Sequence, residues 1–158
     1  MLLTSEGLLA IETPKGWVQT EGPGLAFFVR QGENSKTANV WMYISTAPVG
    51  PDEDAKDFHA YIKSDIAGFR ERFKNGAVRE EAAIDLPRTK TSALVYTFES
   101  NEQHNSFEEI VYIPESGRVL LLVLSAKNKD AFAESVPDFR AFAKSYGGSI
   151  IMTGTKQP

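Results

Sequence analysis

The sequence predicts an α+β fold, a mainly antiparallel sheet with helices packed on it, in the order β-β-β-α-β-β-β-β-α. Three observations predict it. Short segments of alternating polarity are separated by Pro-, Gly- and Asn-containing turns. The hydrophobic period changes from two to between three and four over residues 52–74. An unbroken apolar run, "VLLLVL" at 119–124, has no polar face and must be a central strand covered on both sides.

Each element has a local reason. "LLAIE" (8–12) reads as a strand that ends where Pro14 and Gly16 turn the chain. "LAFFVR" (25–30) and "ANVWMYIST" (38–46) are the next two, joined by the polar "QGENSKT" (31–37), so the opening reads as a meander. Within the third, Val40, Met42 and Ile44 share one face and Trp41 and Tyr43 the other. From Asp52 to Lys74, Ala55, Phe58, Ile62, Ile66, Phe69 and Phe73 form one helical stripe. Asp52, Glu53 and Asp54 fit the positive end of that helix, Arg70, Arg72 and Lys74 its negative end, and Asn75-Gly76 supplies a left-handed stop. Four strands follow, at 78–86, 91–99, 106–113 and 118–126. A last helical segment starts near Asn128 and is interrupted at Pro137, with Ser135 as a fresh N-cap. Val136, Phe139, Phe142 and Tyr146 form its buried stripe, and Gly147-Gly148 ends it.

Composition bounds the function. The 158 residues read as a single domain, 1–158, large enough for one core without staples. Cysteine is absent, which removes disulfides, thiol catalysis and thiolate metal sites together. A net charge of -4 offers no basic field for a phosphate backbone, so no nucleic-acid partner is expected. No apolar run is long enough for a transmembrane segment. The N-terminus has neither a basic n-region nor a long h-region, so the chain reads either as the mature form of an exported protein or as a cytoplasmic one.

No motif carries catalytic chemistry. The two histidines, His59 and His104, lack ligand spacing, so neither a metal nor a cofactor is expected. "GPGLAF" (22–27) lacks the third glycine of a dinucleotide motif and leads into a strand, so it is a turn. "PDEDAKD" (51–57) lacks the glycine and distal glutamate of a calcium loop. The Glu pairs at 80–81 and 108–109 read as edge or surface charge, and "RERFKNGAVR" (70–79) as a solvated helix end. Trp41 and Tyr43 stand apart, as two large aromatics on one strand face beside Asn39 and Ser45. They are either core under a helix or a platform for a ligand or partner.

A first strand ending in the "P-x-G-W" turn of Pro14, Gly16 and Trp17 resembles the opening of the PsbP-like domains. That group spans the extrinsic PsbP type of photosystem II, the Ran-binding import factor type and many small bacterial proteins. The order of elements and the closing "FRAFAKSY" (139–146) extend the likeness along nearly the whole chain. The resemblance implies an α/β/α sandwich, with Trp17 folding back as a plug over the sheet end. It also implies a non-catalytic binding or assembly module, as a bacterial member of the group. A carrier of a small hydrophobic ligand, or a chaperone-like holder of an apolar segment, is the alternative, so the partner is a protein or such a ligand.

Because histidine spacing and the absence of thiols leave no ligand set, melting curves should superimpose with EDTA, with added zinc and with added calcium. A shift of several degrees in any of them would contradict this reading.

Overall fold

A computed structural model describes residues 1–100 and 106–151. The strands are β1 (Leu2–Thr4), β2 (Gly7–Leu9), β3 (Trp17–Thr20), β4 (Ala26–Arg30), β5 (Val40–Pro48), β6 (Ala77–Leu86), β7 (Thr91–Ser100), β8 (Ser106–Glu115), β9 (Arg118–Ala126) and β10 (Ser149–Ile151). The helices are α1 (Phe58–Arg72), between β5 and β6, and α2 (Lys129–Lys144), between β9 and β10. Seven strands form one antiparallel sheet in the order β3-β4-β5-β9-β8-β7-β6. The apolar run at 119–124 is thus the middle strand, with β5 and β8 on either side.

Alternation along β9 divides the core into two layers. Leu120, Leu122 and Leu124 pack with Met42, Ile44, Phe139 and Phe142 against α2. Val119, Leu121 and Val123 pack with Ile62, Phe69, Phe98 and Tyr112 against α1. The result is an α/β/α sandwich, each helix burying the stripe that its three- and four-residue spacing sets up.

The first strand is not part of the meander. Its residues divide between β2 and an irregular stretch, and β2 pairs with β1 and β10 in a separate three-stranded sheet. The edge position in the large sheet goes to β3, a four-residue strand too short to show periodicity. The turn between them follows from Pro14-Lys15-Gly16-Trp17. The Trp17 amide donates to the Pro14 carbonyl at 3.1 Å, and Gly16 takes φ +85°, a conformation that favours glycine.

Both helices depart from the sequence reading at their ends. α1 begins at Phe58, capped by the Asp57 carboxylate, which accepts from the Ala60 amide at 2.8 Å. Residues 50–56 instead form turns, with the Lys56 ammonium donating to the Pro51 and Glu53 carbonyls, so Asp52, Glu53 and Asp54 are not its first turn. At its C-terminus Gly76 has no positive φ, and Phe73 leaves the helical conformation at φ -125°, ψ 82°. Gly76 is required for space, since a Cβ there would lie 2.7 Å from the Phe69 ring.

α2 runs unbroken through Pro137 from an Asn128 cap, whose side chain accepts from the Ala131 amide at 2.8 Å. Ser135 is therefore a buried helical residue and not a cap. Proline is tolerated because it and Ala133, whose carbonyl it deprives of a donor, are both exposed to water.

Two polar clusters fasten the large sheet, one at its β3–β4 edge and one at the β8–β9 hairpin. The Trp17 indole N–H and Arg30 Nη1 both donate to Asp138 Oδ2, at 3.0 and 2.9 Å, and Arg30 Nη2 donates to Ser135 Oγ. The Arg30 guanidinium also lies 4.4 Å from the Trp17 ring centre. Trp17 thus lies at the start of β3 beneath α2, 4% exposed, and locks the edge strands to the helix. In the second cluster Arg118 donates to Glu115, Glu6 and Ser149, and Tyr146 donates to Glu115, joining the small sheet to the β8–β9 hairpin.

Trp17→Ala removes a buried ring, its hydrogen bond and its stacked cation together. It should cost about 3 kcal/mol or more, read from the denaturant midpoint. A loss below about 1 kcal/mol would mean that α2 holds the edge strands by other contacts.

Candidate functional site

Trp41 and Tyr43 lie on the α1 side of β5 because Val40, Met42 and Ile44 are committed to the α2 core. Both are half-buried. The Trp41 ring stacks on Phe27 at 6.5 Å, and Lys127 Nζ reaches to 5.9 Å from its centre. Phe27, Val29 and Ala38 fill the space behind the pair. Tyr43 also borders the α1 layer of the core, so the two rings form the join between that layer and the β4–β5 end of the sheet.

Beside Tyr43 the flank of α1 brings Tyr61 and Asp65, one helical turn apart. β8 and β9 contribute Glu108, Tyr112 and Ser125. The Tyr112 hydroxyl donates to Asp65 Oδ2 at 2.5 Å, and the Ser125 hydroxyl donates to Glu108 Oε1 at 3.2 Å. Neither Asp65 nor Glu108 has an ion-pair partner among the described residues. Burial raises the Glu108 carboxyl above its ordinary value; Asp65 adds to that shift, while the Ser125 bond and Arg72 oppose it. Burial likewise pushes the Tyr43 phenol up to about 12, helped by Glu108, Asp65 and Tyr61. Tyr112 is raised by the same causes, burial first and Asp65 next.

The glutamate pair at 108–109 is therefore not surface charge. Consecutive residues on an interior strand point to opposite covered faces. Glu109 emerges under α2, 2% exposed, and accepts from Arg140 Nε at 2.9 Å and Nη2 at 3.1 Å. Glu108 emerges under the flank of α1 without such a partner among the described residues. The available signal was the placement of "EE" in a strand next to "VLLLVL", whose two apolar faces require a cover on both sides of the sheet.

The remaining sequence features disperse. His59 is exposed on α1, its ring edge-on to Phe58, and His104 lies outside the described residues. Gly24 makes the turn at 22–27, with φ +82° and no room for a Cβ against the Ile44 carbonyl oxygen, 2.4 Å away. Glu81 accepts from Thr97 and Arg79. Among the described residues, no group of three or more His, Asp or Glu side chains converges on a metal-sized site. No helix of the described residues is long and apolar enough to cross a membrane.

Comparison with solved structures identifies the fold. Cyanobacterial PsbP (CyanoP) from Synechocystis superposes with a TM-score of 0.50 at 13% identity, over 84% of this chain and 82% of that one. A mutant of the protein Mog1 matches with a TM-score of 0.45 at 14% identity, over 86% of this chain and 82% of that one. LpqN, involved in cell envelope biogenesis of Mycobacterium tuberculosis, matches with a TM-score of 0.48 at 15% identity, over 86% and 80%. No protein-family model matches the sequence, and no curated protein does. The chain has a PsbP-like fold; at these identities the likeness is one of architecture.

The Tyr43 shift predicts a pH dependence. A phenol whose folded value lies above 10.0 stabilises the fold fully below pH 10, and that contribution is lost as pH rises through about 12. Urea midpoints should fall over this window, and fall less steeply in Tyr43→Phe, which cannot ionise there. Parallel curves for the two proteins would show that Tyr43 titrates as in water.

Proposed function

We propose that the chain is a non-catalytic binding module, acting as one domain, that engages a protein partner through Trp41 and Tyr43. The observation that carries this reading is the surface where those two rings meet the flank of α1. Half-buried aromatics with a rigid floor lose little conformational entropy on binding and are typical anchors. Asp65 and Glu108 beside them are held in place by Tyr112 and Ser125, which suits polar recognition at the edge of an aromatic contact.

Three other carboxylates that lie wholly or partly inside the fold are tied into structural bonds and are poor candidates for acid–base work. Glu109 is neutralised by Arg140, Glu115 by Arg118, and Asp138 by Arg30. A carrier of a small hydrophobic ligand at the same residues would need an enclosed apolar space, and Phe27, Val29 and Ala38 already fill the region behind the rings.

The test is photo-crosslinking in cells that naturally produce the chain. Photoreactive benzoyl-phenylalanine at Trp41 should give a discrete protein adduct that the same group at exposed Arg79 does not give. Tyr43→Ala should reduce the adduct by about tenfold or more in folded protein, the effect of losing an interface anchor. Identical products from positions 41 and 79, or no adduct from either, would overturn the assignment.

A further inference from the structure

Among the described residues, the helical layer that contains α1 leaves part of the sheet only partly covered. Seven strands about 4.8 Å apart span about 29 Å between outer axes, while one helix with its side chains covers about 10 to 12 Å. α1 packs over β9, β8 and the Phe98 end of β7 through Ile62 and Phe69, the Phe69 ring lying edge-on to Phe98 at 5.1 Å. On its β6–β7 side a trench of about 380 Å³ remains, with His59, Lys63, Ile66 and Arg70 on the helix wall and Leu94 and Tyr96 on the floor.

The wall residues recur at spacings of four, three and four, which is one flank of α1 along about 17 Å at roughly 1.5 Å per residue. Ile66, Leu94 and Tyr96 are half-buried, whereas His59, Lys63 and Arg70 are exposed. None of the three basic groups forms an ion pair among the described residues. Exposed Glu80, paired with Tyr96 across the β6–β7 ladder, borders the far side. The two flanks of α1 thus differ in sign, basic over β7 and, at Asp65, acidic toward β5.

We propose that this trench docks an amphipathic helix of another protein that carries carboxylates along one flank. Laid alongside α1, it sets its apolar stripe on Ile66, Leu94 and Tyr96 and its carboxylates against Lys63 and Arg70. A second helix at the usual interaxial distance of about 8 to 10 Å falls over β6 and the stretch of β7 where Leu94 and Tyr96 are only half-buried among the described residues. Strand addition at the neighbouring free edge is disfavoured, because β6 carries Arg79, Glu80, Glu81 and Asp85 and shifts register between Glu81 and Ile84. Charge also orients the partner: the same acidic flank set on the other side of α1 would face Asp65 and Glu108.

The probe is a fluorescein-labelled designed helix of about 18 residues, long enough to be helical in water, with a leucine stripe and a glutamate flank. A second version replaces the glutamates by lysines. The glutamate peptide should bind the whole chain saturably, more weakly as salt rises, and shift the amide resonances of Leu94 and Tyr96. The exposed double variant Lys63→Glu/Arg70→Glu, checked by circular dichroism, should lose about tenfold or more in affinity for it and gain affinity for the lysine peptide. Trp41→Ala should bind the glutamate peptide unchanged, which separates this trench from the aromatic surface. No saturable binding, equal binding of the two peptides, indifference to the double variant, or shifts confined to the Trp41 side would each overturn the proposal.

Discussion

The structure depends on the need to remove both faces of β9 from water. Val119 through Leu124 carry no polar side chain, and each fully buried aliphatic residue of this kind contributes about 1.5 to 3 kcal/mol relative to an exposed one. A strand apolar on both faces cannot lie at a sheet edge or under a single layer. Its neighbours must be strands on both sides, and each face needs a cover. β5 and β8 meet the first demand; α1 and α2 meet the second.

That arrangement decides what charges inside the sheet can do. Glu108 and Glu109 are adjacent in β8, so one carboxylate enters each covered layer. Under α2, Arg140 meets Glu109 with two hydrogen bonds and the charge is compensated. Under α1, Glu108 receives a neutral hydroxyl from Ser125, and burial raises its proton affinity. The two layers are thus alike in packing and unlike in electrostatics. The polar asymmetry falls beside Trp41 and Tyr43, on the face whose helix covers only part of the sheet.

Where local pattern and long-range geometry agree, the elements were legible. "VLLLVL", the alternation of Val40, Met42 and Ile44, and the stripe from Phe58 to Phe73 each contain their own evidence of burial. Where two local signals compete, context chose between them. Asp52, Glu53 and Asp54 favour a helix start by charge, yet Asp57 offers the side-chain oxygen that caps the Ala60 amide. Ser135 has the chemistry of a cap, but Asn128 starts the helix seven residues earlier and Arg30 claims the serine hydroxyl. Of the site, the shared face of Trp41 and Tyr43 was legible from alternation alone, while Asp65, Glu108 and Tyr112 became their neighbours through packing.

The sequence by itself determined the long strands and the helices with a buried stripe, and hence an antiparallel sheet with helices packed on it, because periodicity is written within about ten neighbouring residues. Tertiary structure alone decided the partners. Trp17 meets Asp138 across 121 positions of chain and Arg118 meets Glu6 across 112, while β2 leaves the main sheet to pair with β10. Such pairings depend on which surfaces remain uncovered after the core has closed, and no local window of sequence contains that information.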